Sequence, residues 1–146
     1  MQTSDWLQAL AQHGLRPTQQ RATVVEVLLQ SESALEPMQV FEQCRALLPR
    51  LGLVTVYRTL ESLEEIGLVQ KVHHPHGCNM YIRAPQGHQH LLICSHCGTT
   101  TYFDGLELQD TFEKIGRQYG YKVQDHLLQL VGYCSNCQNL RIKNET

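Results

Sequence analysis

Two Cys-x-x-Cys pairs in the last third of the chain constrain its fold more than any other feature. They are Cys94/Cys97 in ICSHCG and Cys134/Cys137 in YCSNCQ. Each short spacer lets both sulfurs of a knuckle face one ion at about 2.3 Å, and two knuckles together complete a tetrahedral zinc site. The chain must therefore fold so that two segments distant in sequence meet. The competing reading is a redox dithiol or a disulfide pair. That calls for a thioredoxin-like strand–helix context, which this sequence lacks. MQTSDWLQAL has no basic region followed by an apolar stretch, so no export signal is expected. Six cysteines without such a signal point to reduced thiols in a cytoplasm. With all four positions taken by thiolates, one zinc per subunit is expected to be structural and not catalytic. Cys44 reads as a small buried apolar residue on a helix.

Histidines crowd the first knuckle. His88 and His90 form an H-x-H pair, and a strand would point both imidazoles to one face. They are expected to share a second, regulatory divalent ion, with His126 as a third ligand from a later strand. Glu107, Asp110 and Asp104 are acidic candidates to complete that site. His73, His74, His76 and Cys78 form another cluster, which reads either as a polar turn or as a further metal site.

The chain has 146 residues, enough for one compact domain or two small ones. No apolar run approaches the roughly 20 residues of a membrane helix. Residues 4–13 read as a short helix ended by Gly14. Thr18 is a good N-cap for a helix carrying Ala22, Val25, Leu28 and Leu29 on one stripe. Pro37 suits the first turn of a helix that Pro49 stops. Leu53, Val56, Leu60 and Leu63 define an amphipathic helix with Gly67 at its end. Its outward face is expected to carry Thr55, Tyr57, Arg58, Thr59 and Ser62. Residues 68–73 and 79–84 read as two short strands. Three helices, a short connection and a hairpin make a winged helix-turn-helix.

Ala84-Pro85-Gln86-Gly87 reads as a linker. Beyond it, strands are expected at 91–93, 99–103 and 121–131. A helix carrying Leu108, Phe112, Ile115 and Tyr119 ends at Gly120. The fold class is α+β. Residues 143–146 read as a frayed tail.

Net charge is −2. Residues 1–84 carry 7 Lys/Arg and 8 Asp/Glu, and residues 85–146 carry 5 and 6. Neither half is globally basic. Binding to DNA would therefore rest on a local basic patch and weaken steeply with salt.

These motifs together resemble the ferric uptake regulator family, from about Leu15 to Cys137. LRPTQQR resembles the start of its DNA-binding domain, and TVYRTLESLEEIGLV its recognition helix and entry to the wing. GHQHLLICSHCG and GYCSNC resemble its hinge-side metal motif and zinc knuckles. The resemblance implies a cytoplasmic, homodimeric repressor that binds double-stranded operator DNA when a sensory divalent ion is loaded. It implies a DNA-binding domain over 1–84, a hinge over 85–90 and a dimerisation domain over 91–146. Tyr57, Arg58, Thr55 and Thr59 would read DNA, with Arg16 and Arg21 clamping its backbone and Lys71 and Arg83 supporting from the wing. Cys94, Cys97, Cys134 and Cys137 match the structural ligands, and His88, His90 and His126 match a second site.

This chain also departs from the family. The family's acidic ligand in the second site falls at Gln109, so Glu107 or Asp110 would take its place. The usual sensory site has Leu91, Arg83 and Tyr102 at its ligand positions and is expected to be missing. The regulatory ion would then sit at His88, His90 and His126, or at a relocated site using Cys78 with a wing histidine such as His74 or His76 and a hinge histidine. A thiolate ligand would favour zinc over ferrous iron or manganese. No organic substrate, membrane or enzymatic role is implied. Three alternatives are an iron-, manganese- or peroxide-responsive regulator, a thiol-redox switch on the four cysteines, and a small zinc hydrolase using the three histidines.

Overall fold

The computed structural model describes residues 2–73 and 79–144. The chain divides into two units, Met1–Ala84 and Pro85–Thr146.

The first unit packs four helices beside a two-stranded sheet: α1 (Thr3–Gln12), α2 (Gln19–Gln30), α3 (Pro37–Leu47), α4 (Leu53–Glu65), β1 (Val69–His73) and β2 (Asn79–Arg83). Local chemistry sets the boundaries. The Thr18 side chain accepts the Arg21 N–H and caps α2. Pro37 opens α3 without losing a hydrogen bond. After α4, Gly67 takes φ 78°, and the Gly67 and Leu68 N–H groups donate back to the Glu64 and Leu63 carbonyls. These bonds satisfy carbonyls the helix would otherwise orphan. Val56, Leu60 and Leu63 are fully buried, and they meet Trp6, Leu10, Val24, Leu28 and Val40 in one core. Cys44 joins that core, and burial pushes its thiol up to about 11.

β1 and β2 pair antiparallel, Val69 opposite Arg83. Reciprocal backbone bonds between Leu35 and Tyr81 stitch the hairpin to the segment before α3. Lys71 Nζ lies 3.2 Å from Glu64 and over the Tyr81 ring. Its expected role as a wing cation for DNA therefore competes with an ion pair to α4.

The second unit is a three-stranded sheet in the order β4-β3-β5, with two helices: β3 (Gln89–Cys94), β4 (Thr100–Asp104), α5 (Gln109–Tyr119), β5 (Gln129–Gly132) and α6 (Ser135–Asn144). A single 3-10 turn, Leu106–Leu108, leads into α5. β3 runs antiparallel to β4 and parallel to β5. Leu91 and Ile93 point into the core of this sheet.

Two expectations fail here. The strand read over 121–131 is regular only at Gln129–Gly132. Tyr121 and Val123 lie against α5: an added Cβ at Gly116 would lie 2.7 Å from Val123 Cγ2 and 2.8 Å from the Tyr121 carbonyl oxygen. The tail read as frayed over 143–146 is also still helical at its start, because α6 runs through Asn144. No described helix is long and apolar enough to cross a membrane.

Candidate metal centres and nucleic-acid interface

The parallel β3–β5 register brings the two knuckles together. Cys94 ends β3 and pairs with Gly132 at the end of β5. Cys97 follows in the β3–β4 turn, held by Cys94 N–H to Thr99 and Gly98 N–H to Cys94. Ser95 ties the turn to β5 through its N–H, 2.8 Å from the Gly132 carbonyl. Cys134 immediately precedes α6, and Cys137 lies in its first turn.

The four sulfurs lie within 4.8 Å of one another, and Cys97 Sγ to Cys134 Sγ is 3.7 Å. A tetrahedron with zinc–sulfur bonds of about 2.3 Å has sulfurs about 3.8 Å apart. The donor set and spacing therefore fit zinc. Burial pushes the Cys94 thiol up, but the N–H groups of Cys134, Cys97 and His96 outweigh it and bring it down to about 6. The Thr99 hydroxyl, 3.1 Å from Cys97 Sγ, and the Thr99 backbone pull the Cys97 thiol down as well. Burial and the three neighbouring sulfurs push Cys137 up to about 12. Four such thiols cannot all ionise beside one another unless a cation neutralises them. The site is thus built to be completed by a soft cation.

The histidines separate. His90, on β3, is 6% exposed, and its Nε2 lies 3.4 Å from His126 Nε2. Phe103 flanks His90 at 5.5 Å between ring centroids, and Phe112 flanks His126 at 4.5 Å. Burial, then His126, then His88 hold the His90 imidazole below its ordinary value, and Asp104 opposes them. A neutral imidazole is the metal-binding form. Gly105 makes room for this ring, because a Cβ there would run into His90 Cδ2 and Nε2.

His88 lies in the turn before β3, exposed, so the strand alternation expected for the H-x-H pair does not reach it. It does not come within 4.8 Å of both other imidazoles. Among the described residues, the four thiols are the only group of three or more donors that close. Glu107 on the 3-10 turn, and Gln109 and Asp110 at the start of α5, are exposed, and neither Glu107 nor Asp110 closes into a group of three donors with the His90–His126 pair. Asp104 is the one acidic candidate whose field acts on His90. Cys78, His74 and His76 lie outside the described residues.

On α4, Tyr57 is 42% exposed, Arg58 is exposed and Thr55 is half-buried. Thr59 is not on the outward face. It is 1% exposed, and its hydroxyl donates to the Thr55 carbonyl at 2.7 Å. It floors a polar cleft walled by Thr18, Gln20, Arg21, Thr55 and Arg58. Arg21 donates from Nη1 to the Arg16 carbonyl, and Arg16 itself is exposed. The two arginines thus brace one loop, with Arg58 across the cleft. Sequence periodicity missed Val54, which is exposed on α4 although apolar. It also missed Gly105, Thr99 and the two phenylalanines around the imidazole pair, since their roles arise only from long-range contacts.

The ferric uptake regulator family model matches residues 12–131. The chain is 32% identical to the ferric uptake regulation protein of Campylobacter jejuni subsp. jejuni, over 92% of this chain and 87% of that one. It is 30% identical to the zinc uptake regulation protein of Mycobacterium tuberculosis, over 86% and 97%. The ferric uptake regulator of Helicobacter pylori, whose structure has three functional metal-binding sites, superposes with a TM-score of 0.78 at 25% identity, over 94% and 95% of the two chains. A zinc uptake regulator solved with zinc and DNA shares the fold, at a TM-score of 0.68 and 23% identity, over 97% and 99%. The family match spans most of the helical unit and the sheet of the second unit through most of β5, and the chain therefore belongs to the ferric uptake regulator family.

Proposed function

We propose that this chain is a cytoplasmic, homodimeric, metal-dependent repressor that binds operator DNA and controls metal-homeostasis genes, with zinc as the sensed ion. The observation that carries the reading is the pairing of a helix-turn-helix presenting Tyr57 and Arg58 with a second unit that gathers four thiols and, separately, two imidazoles. Cys94, Cys97, Cys134 and Cys137 hold one structural zinc per subunit. His90 and His126 form the nucleus of the regulatory site, with His88 and Asp104 nearest to complete it. Gln109 adds no charge there. Imidazoles suit zinc and iron better than manganese, which prefers oxygen ligands, and a thiolate from Cys78 would favour zinc.

Residues 1–84 act as the DNA-binding domain, 85–90 as the hinge and 91–146 as the dimerisation domain. Arg58 reads guanine or phosphate, and Tyr57 contacts phosphate or a thymine methyl. Exposed Tyr121, Val123 and Leu127, on a segment that pairs with no strand among the described residues, support pairing with a second copy. The ion biases one arrangement of the two DNA-binding units that matches the operator half-sites. A coupling of about 1–3 kcal/mol changes occupancy by about 5–150-fold. The hydrolase alternative needs three protein ligands and an open position on one ion. Among the described residues, His88, His90 and His126 do not close into such a set of three.

The test combines metal analysis with DNA-binding titrations across zinc, iron and manganese. One zinc should stay with each chain, and a second equivalent should be needed for binding, most effectively as zinc. His90→Ala should lose the metal dependence and remain dimeric. Metal-dependent binding unchanged in His90→Ala would overturn the regulatory assignment. A response to iron together with +16 mass shifts on His88, His90 or His126 after peroxide would favour the peroxide-sensing alternative.

A further inference from the structure

Val54 is 63% exposed on the first turn of α4, although the helix buries Val56, Leu60 and Leu63 completely on its other side. A β-branched residue there gains little burial and is a weaker helix former than alanine. Its place is therefore not explained by folding. A single exposed apolar side chain is ordinary, but this one has company. Tyr57 lies three residues on, one turn along the same face. Exposed Met38, at the start of α3, lines a cleft together with Tyr57. Val54 and Tyr57 thus share one face of α4 with Arg58, four residues on from Val54, and Met38 lies beside Tyr57.

The first residues of a recognition helix are those that reach base edges. The major groove presents one apolar group, the 5-methyl of thymine. The isopropyl group of Val54 can neither donate nor accept a hydrogen bond, so it can read no other base edge and no phosphate. We propose that Val54 is a specificity-determining residue that packs on the methyl group of a thymine in each operator half-site. The inference rests on the DNA-binding reading above and deepens it.

The experiment uses full-length, zinc-loaded protein and a duplex recovered by selection from a randomised pool. Each thymine is replaced in turn by deoxyuridine, which lacks only the methyl. The unmutated protein should lose about fourfold in affinity at one thymine per half-site, the equivalent of about 0.8 kcal/mol for one buried carbon. In Val54→Ala, which keeps helix propensity, that penalty should vanish while penalties at other thymines stay. Val54→Ser should behave in the same way. A duplex whose thymines all tolerate deoxyuridine, or a penalty that persists in both variants, overturns the inference and leaves DNA binding intact. Recovery of no duplex at all overturns DNA binding, and the inference falls with it.

Discussion

Gly105→Ala tests the role of His90 without replacing a candidate ligand. Gly105 sits at φ −114° and ψ 20°, a conformation alanine can adopt, so the backbone is not strained by the change. The cost is steric. The new methyl would lie 2.5 Å from His90 Nε2 and 3.2 Å from the His88 carbonyl oxygen, where ordinary contacts are about 3.5–4.0 Å. The methyl would run deeper still into His90 Cδ2, and His90 is buried and flanked by Phe103, so its ring has to move by more than about 1 Å to restore ordinary contact. The clash falls on a buried ring with aromatic neighbours, so the loss of stability lies within the range for overpacking, at least about 1 kcal/mol. A second-unit domain of this size should lose about 4–8 °C in melting temperature. The effect on metal is larger, because a ligand displaced by about 1 Å no longer meets its ion. We expect the second, regulatory equivalent of zinc to bind at least about tenfold more weakly, with the structural zinc retained. Competition with a chromophoric chelator measures both. If Gly105→Ala binds the second equivalent as the unmutated protein does, His90 is not a ligand and the reasoning fails.

Three further outcomes follow from the geometry. Cys97→Ser should lose the structural zinc and the dimer, read by metal analysis and sedimentation; a stable zinc-loaded dimer would contradict the four-thiol assignment. In metal-free protein, exposed Cys97, with its thiol pulled down, should alkylate before buried Cys137, pushed up to about 12, and before buried Cys44 at about 11. Mass spectrometry over time gives the order, and early labelling of Cys137 would refute it. Thr59→Val should leave operator affinity within about twofold, since the side chain is buried, and cost about 1 kcal/mol at most for its local hydrogen bond; a large loss of DNA binding would return Thr59 to the interface.

The local signals in this sequence were reliable where one segment decides its own structure. Thr18, Pro37 and Gly67 mark helix ends because caps act within a few residues. The apolar stripe of α4 was legible because burial follows the 3.6-residue period. Thr59 shows the limit of that rule. It is polar, so periodicity assigned it outward, but its hydroxyl bonds to its own helix and lets it sit in the core. Val54 is the converse case, apolar and outward.

Spacing within each Cys-x-x-Cys knuckle was enough to identify a pair of sulfurs able to share an ion, because a two-residue spacer fixes their separation. That all four meet was decided by the parallel pairing of β3 with a four-residue β5, a contact between segments about 40 residues apart that no local pattern announces. The same contact explains α6, which starts where the second knuckle must turn. The histidines divide in the same way. Sequence determined that imidazoles lie beside the thiolates. Tertiary structure decided that His90 faces His126 across the space Gly105 leaves open, while His88 stays in the preceding turn. Ligand geometry depends on strand register and on the absence of one methyl group, and neither is written in spacing alone.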